Sequence, residues 1–413
     1  MHLVGSGEYE PQTERVPGYH IFLIPFRWIF GDMVFPALAG QAVIGALTCV
    51  VIAVIGSFLG RSVGILSGYL AAIWPNFIIF SGMILGDTLF VFLFSVMLFF
   101  SARFVRNLNL PDLAFAGLFC GLAILTRPVL MFMPIALALA LPVVVYYQKF
   151  SLRRLFIYLA VLVPVTVLPV SPQIYRNVVE YNTFDLTSQG GTHLLYWVVG
   201  EVMAHLENRS LNEVKLELHK NVEEALRQEG LDAETLNPFE YSDFLKKIAG
   251  EQLVDLPVSG IALVWLRGSV LGFSVPAVLS DPRIRSLNTA SFYGSDAVGF
   301  VAQITDFLRG SSPAYLGWFL IGGIFAFAGI LLQLSGLYLL VRISPWAAIL
   351  AALVIAYFLI LNGPVSLPKY RLPYEPVLII LQALALLKMI SFVKATKIGF
   401  RIAKSNDDAH SIS

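Results

Sequence analysis

Four charged positions in this chain draw attention by where they fall. Asp87 sits in Ser81-Gly82-Met83-Ile84-Leu85-Gly86-Asp87-Thr88-Leu89-Phe90, at the start of an apolar run. Arg127 precedes Pro128 in the middle of another. Arg176 stands beside Asn177, after the proline-containing stretch Pro169 to Pro172. Arg371 lies in Lys369-Tyr370-Arg371-Leu372-Pro373. A guanidinium fork matches the oxygens of a phosphate. A carboxylate facing a cavity can orient a sugar or a cation. Each residue also has a plainer reading. Asp87 fits a helix N-cap, Arg127 fits an arginine snorkelling to the headgroups, and Lys369, Tyr370 and Arg371 fit an interfacial anchor. The Gly190-Gly191 pair would let backbone amides approach an anion. His193 has no His or Cys partner at metal-ligand spacing and reads as structural.

These residues matter because charge is scarce. The chain is 57% hydrophobic, 13% aromatic and 13% charged, against about 25% charged in a soluble domain. That leaves too little polar surface for a water-soluble body, so the class is integral membrane protein, and a charge at a membrane edge is a functional hypothesis. A formal net charge of +1 gives no global field for nucleic acid. Cys49 and Cys120 both lie in apolar runs and read as helix-packing residues.

A span needs about 20 apolar residues. Residues 19–30 are apolar but too short and carry Pro25 and Arg27, so they predict an interfacial helix anchored by Trp28. Spans are expected at 33–58, 63–81, 88–102, 155–172, 315–341, 345–361 and 373–392. The stretch 112–147 is too long for one helix, and Thr126-Arg127-Pro128 divides it in two. The expectation is an all-α polytopic protein of about nine spans. Residues 1–172 form a first membrane region with the juxtamembrane helix and six spans. Residues 173–312 form a large polar loop, 313–393 a second membrane region with three spans, and 394–413 a tail.

Alternate connections carry Arg61, then Arg103 and Arg106, then Lys149, Arg153 and Arg154, then Arg342, and the tail adds Lys388, Lys394, Lys397, Arg401 and Lys404. By the positive-inside rule that set is cytoplasmic and the long loop extracytoplasmic, as in a multi-pass protein of a bacterial inner (plasma) membrane. An odd span number then puts the polar N-terminus outside, so the reading expects a first helix missing from this chain. Within the loop, Leu211, Val214, Leu218, Val222, Ala225 and Leu226 follow helical spacing. Residues 238–253 read as a second amphipathic helix, and 261–278 as one lying on or dipping into the interface. Asn208-Arg209-Ser210 fits the N-glycosylation pattern.

No phosphate-binding loop, metalloprotease or nucleophile-elbow motif occurs. The order of short motifs instead resembles the GT-C membrane glycosyltransferases of the protein-mannosyltransferase and lipid A aminoarabinose-transferase type. The similar stretches are Glu14-Arg15-Val16-Pro17-Gly18-Tyr19, Gly86-Asp87-Thr88-Leu89-Phe90 and Gly121 to Pro128. Arg176-Asn177 with Gly190-Gly191 follows, then Tyr370-Arg371-Leu372-Pro373-Tyr374-Glu375-Pro376. The resemblance implies transfer of a sugar, with inversion, from a polyprenyl-phosphate carrier to a lipid, glycan or protein acceptor at the outer membrane face. It implies that Arg176 and Arg371 hold the donor phosphate, with Arg127, Lys369 and Tyr370 as further candidates. Asp87 would be the catalytic-site carboxylate positioning acceptor or sugar, Glu14 and Tyr19 would line the acceptor side, and Gly190 and Gly191 would bind anion. The family's main catalytic acid lies upstream of the Pro-Gly-Tyr motif, where this chain has no matching residue. No cofactor is expected on this reading, and a divalent metal is left open. A flippase of lipid-linked intermediates is the alternative, but it would want polar residues deep in the bilayer and in two matching halves.

Overall fold

The computed structural model describes residues 12–31, 34–147, 151–287, 289–290, 296–364 and 367–410. Glu8 and Glu10 lie outside them. Every regular element among the described residues is helical. The helices of the first membrane region are α1 Gly18–Phe30, α2 Val34–Ser57, α3 Arg61–Ala72, α4 Pro75–Ser81, α5 Asp87–Asn107, α6 Leu110–Ile124, α7 Met133–Tyr147 and α8 Leu152–Tyr181. The polar region adds α9 Gly190–Thr192, α10 Gly200–Leu206, α11 Leu211–Gln228, α12 Pro238–Asp255, α13 Val258–Ser274, α14 Pro282–Arg285 and α15 Phe300–Gly310. The chain closes with α16 Pro313–Ile343, α17 Pro345–Asn362, α18 Pro368–Arg371 and α19 Glu375–His410.

Among the described residues six helices are long and apolar enough to cross a membrane, α2, α5, α8, α16, α17 and the segment Pro368–Val393, or up to eight if the bent pairs α3–α4 and α12–α13 each count as one span. The chain is a multi-pass integral membrane protein. Some of the expected spans take another form among the described residues. The span at 63–81 is broken into α3 and α4, bent by 48° where Pro75 starts the second piece. The helices α6 and α7 each have 15 residues, about 22 Å at 1.5 Å per residue, short of a hydrocarbon core of about 30 Å. Between them Pro128–Leu130 forms one tight turn, as Arg127-Pro128 predicts.

Helix α8 does not stop near Pro172. It continues to Tyr181, so Arg176 and Asn177 sit on a helix rather than in the loop that follows. Its three internal prolines each remove one helical hydrogen bond, a loss a membrane helix can absorb through its neighbours. Helix α1 covers the predicted interfacial stretch, with Trp28 exposed. In the polar region α11 buries Leu211, Val214, Leu218, Val222 and Leu226, the predicted stripe less Ala225. Its N-cap is Ser210, closed by a capping box with Glu213, so the Ser of the Asn-X-Ser triplet is buried in a helix cap. Helix α12 follows the second prediction and is capped by Asn237 and Glu240. Together α10, α11 and α12 enclose their own core, centred on Leu195, Val214, Leu218 and Leu245.

The membrane helices pack closely where small residues face backbone. A Cβ on Gly121 of α6 would lie 2.3 Å from the Thr166 carbonyl oxygen of α8. One on Gly336 of α16 would lie 2.0 Å from the Leu381 carbonyl oxygen of α19. Gly323, on the same helix, has open space at its Cβ. Gly336→Ala therefore forces α16 away from α19 and costs about 1–3 kcal/mol, whereas Gly323→Ala is neutral or mildly stabilising. Thermal unfolding of the two variants in detergent checks this: the Gly336 midpoint falls and the Gly323 midpoint does not.

Candidate active site

Arg371 is the most constrained of the predicted residues. It ends α18, is buried, and donates from Nε to Glu375 Oε1 at 2.9 Å. Its Nη1 donates to the carbonyl oxygens of Gly272, Phe273 and Val275 at 3.2, 2.8 and 3.3 Å. The first two belong to the last turn of α13, whose carbonyls have no helical partner and whose dipole end favours a cation. Glu375, fully buried, opens α19, where the dipole favours an anion. Asn76 of α4 donates from Nδ2 to Glu375 Oε1 at 2.6 Å and to the Pro368 carbonyl at 3.1 Å. The Trp74 side chain is a further hydrogen-bond partner of the Glu375 carboxylate, while Asn76 Oδ1 accepts nothing among the described residues. A buried acceptor without a donor marks a place where polarity is kept against a cost. No described residue takes a hydrogen bond from Arg371 Nη2.

A second cluster forms at the starts of α1 and α5. Arg127 donates to Asp87 Oδ1 at 2.5 Å and lies over the Phe90 ring, 5.5 Å from its centroid. Tyr19 donates its hydroxyl to Gln41 Oε1 at 2.5 Å, and Gln41 Nε2 reaches the carbonyls of Ser81 and Met83 at 3.0 and 2.7 Å. Gly18 donates its backbone N–H to the Leu125 carbonyl at 2.6 Å, which docks α1 on the turn before Arg127. A Cβ on Gly86 would meet Tyr19 Cβ at 3.2 Å. Tyr19, Asp87 and Arg127 are thus one structural unit. The carboxylate caps nothing: Gly86 is the N-cap and Asp87 is the first helical residue.

The remaining candidates separate. Arg176 turns onto its neighbour, donating to Asn177 Oδ1 from Nε at 3.0 Å and from Nη2 at 2.7 Å, with Glu180 at 3.8 Å. Asn177 donates to the Asp185 carbonyl at 2.6 Å and braces the segment after α8. The Gly190-Gly191 pair is not an open anion cradle. Gly191 donates its N–H to Ser242 Oγ at 3.0 Å, and a Cβ there would lie 2.1 Å from the Ser242 carbonyl oxygen. The glycines let α9 press against α12, and Lys246 beside them is held by Asp185 and Asp243. Lys369 lies over the Tyr370 ring at 5.1 Å, and the Tyr370 carbonyl accepts from Asn362. Glu14 is exposed. Burial lowers the His193 imidazole below its ordinary value.

One apolar core joins the polar clusters. Val16, Phe90, Leu125, Val170, Leu186, Leu372 and Tyr374 are all members of it. Thr88, next to Asp87, and Leu372, next to Arg371, line a common small cavity with Phe77 and Phe80. Sequence reasoning missed Glu375, Asn76 and Gln41 as partners. It also missed Glu201 in the polar region, buried and raised by burial against the pull of Arg267 and Lys215.

The fold and these clusters define a multi-pass membrane protein with a buried arginine centre and a paired carboxylate on one shared core. Residues 15–175, less than half of the chain, match the family model of the dolichyl-phosphate-mannose-protein mannosyltransferases. The match supports, over those residues, the resemblance to the protein-mannosyltransferase type. Among solved structures, the chain is similar to the oligosaccharyltransferase AglB of the archaeon Archaeoglobus fulgidus, in complex with an inhibitory peptide and a dolichol-phosphate. Identity is 14%, coverage 93% of this chain and 43% of that one, and the TM-score 0.49. ArnT from Cupriavidus metallidurans, bound to undecaprenyl phosphate, gives 15% identity, 91% and 67% coverage and a TM-score of 0.37. The same protein in the apo state gives 15%, 91%, 66% and 0.35. The chain thus spans less than half the length of the archaeal protein. No curated protein gives a significant match.

The Arg371 network makes a stability prediction. Glu375→Ala leaves a buried cation without its counter-charge and costs about 3–5 kcal/mol. Glu375→Gln also removes the charge but keeps an acceptor for Arg371 Nε and Asn76 Nδ2 and leaves no cavity, so it costs less. Denaturation midpoints of the two variants should differ clearly; equal losses would contradict the network.

Proposed function

We propose that this chain is a glycosyltransferase that moves a sugar from a polyprenyl-phosphate donor to an acceptor at the extracytoplasmic face of the membrane, with inversion. The observation that carries the reading is Arg371, a guanidinium fixed on three sides with Nη2 left for a ligand. The family match over residues 15–175 supports it. In the transfer, the acceptor oxygen bonds to the sugar's anomeric carbon as the carbon–oxygen bond to phosphate breaks. The acceptor proton passes to a carboxylate, and the polyprenyl phosphate leaves with the bonding pair. Arg371 Nη2 stabilises the charge growing on that phosphate, an effect strengthened by the apolar surroundings. Because the arginine is already positioned, little reorganisation accompanies the reaction.

Asp87 orients the sugar or the acceptor, and Arg127 holds that carboxylate in place through their ion pair. Tyr19, tied to Gln41, and Glu14 line the acceptor side. Arg176, with Lys369 and Tyr370, supplies further contacts to the donor phosphate. The Asn177 bond leaves Arg176 less free than Arg371 for this role. The test is sugar transfer from a polyprenyl-phosphate donor by the protein in membranes. Arg371→Ala should lower turnover by at least about 10²-fold, and Asp87→Asn by about tenfold or more. Unchanged turnover in both variants would remove the assignment.

A further inference from the structure

Helix α13 has two unlike faces. Gly260, Val264, Gly268 and Gly272 are buried against the protein. There, a Cβ on Gly268 would lie 2.5 Å from the Pro364 carbonyl oxygen, just after α17. Trp265 ties the helix to α17 through its indole N–H and the Ile360 carbonyl at 3.0 Å. The opposite face exposes Val258, Leu263, Leu266 and Val270. The preceding helix is unlike it in kind: α12 exposes Asp243, Lys247, Glu251 and Asp255. The chain turns by 112° between the two helices, at Pro257. The one charge within α13, Arg267, is turned to Gln303 of α15 at 2.8 Å. Helix α15 in turn exposes Val301, Ile304 and Leu308 and packs Phe307 against Tyr315 and Phe319 of the span α16.

An apolar stripe of this length is costly in water. Its neighbours on both sides are membrane helices whose outer faces are equally apolar, Ile321, Ile324 and Phe325 on α16 among them. We propose that α13, with α15 bound to it, lies in the bilayer's hydrocarbon–headgroup boundary, and that lipid acyl chains cover the Val258–Leu263–Leu266–Val270 face. The polar region then begins above α13, at the Pro257 corner. A consequence, which rests on the glycosyltransferase reading, concerns the donor. The last turn of α13 supplies carbonyls to Arg371, so a polyprenyl chain travelling in the leaflet along α13 brings its phosphate to the arginine without crossing water.

Site-directed fluorescence in nanodiscs tests the placement without any donor. Single cysteines at Leu266→Cys and Val270→Cys are labelled with bimane in a Cys49→Ala background, Cys120 being fully buried. The controls match in exposure but not in surroundings: Leu216→Cys on α11 at 63% and Ile324→Cys on α16 at 62%, against 61% and 57% for the test positions. The expected result is quenching by doxyl-labelled lipid at 266 and 270 comparable to that at 324 and absent at 216. Reaction with a membrane-impermeant maleimide should be at least about tenfold slower at 266 and 270 than at 216. Labelling at the 216 rate would place the face in water and overturn the proposal. Slow labelling without lipid quenching would mean a protein covers it, which also overturns it. Leu263→Cys replaces either variant that fails to fold. Lipid quenching together with unchanged transfer in Arg371→Ala would keep this placement and remove the glycosyltransferase reading.

Discussion

A guanidinium taken out of water must receive its partners from the protein, and Arg371 takes them from a residue one helical turn on and from a helix end about a hundred positions earlier. Glu375 answers the charge, and Asn76 of α4 fixes that carboxylate. The end of α13 supplies carbonyls. Breaking such an arrangement costs more than making it gains, so α4, α13 and the start of α19 are held to one geometry. The bend between α3 and α4 falls just before Asn76, the second residue of α4, which meets Glu375. The ion pair of Asp87 with Arg127 does similar work next door, tying the start of α5 to the turn between two short helices.

The economy of charge in the membrane region follows. Its described ionic contacts gather at helix ends, with Arg371–Glu375 and Arg127–Asp87 beside one core and Arg103–Asp112 at the far end of α5. Between the ends, glycine packs closely against backbone, and the polar contacts are neutral, as from Gln382 to the Gly329 carbonyl at 3.3 Å. The polar region has its own core under α11 and α12 and is joined to the membrane helices through α13.

Much of the fold was legible in the sequence because its signals are local. The stripe of α11, the short apolar run of α1 and the Arg127-Pro128 turn each lie within a few turns of chain. Scarcity of charge singled out Asp87, Arg127 and Arg371, which the fold places in half-buried or buried ion pairs. The neutral residues that brace them were not legible, since Asn76 lies 299 positions from Glu375 and does not stand out in its own segment. The glycine pair misled for the same reason. Gly190-Gly191 carries the composition of an anion loop, and only the approach of Ser242 shows that it serves helix packing. The length of α8 was hidden by prolines, which end helices in water but are tolerated among packed membrane helices.

The central claim is that the buried Arg371 network presents one guanidinium nitrogen to a lipid-linked phosphate. An experimental structure of the protein with polyprenyl monophosphate in nanodiscs tests it most directly. Phosphate density is expected within hydrogen-bonding distance of Arg371 Nη2, with the Glu375 and Asn76 contacts intact. Phosphate bound away from Arg371, at Arg176 or Lys369 for example, with the arginine still closed into its protein partners, would contradict it.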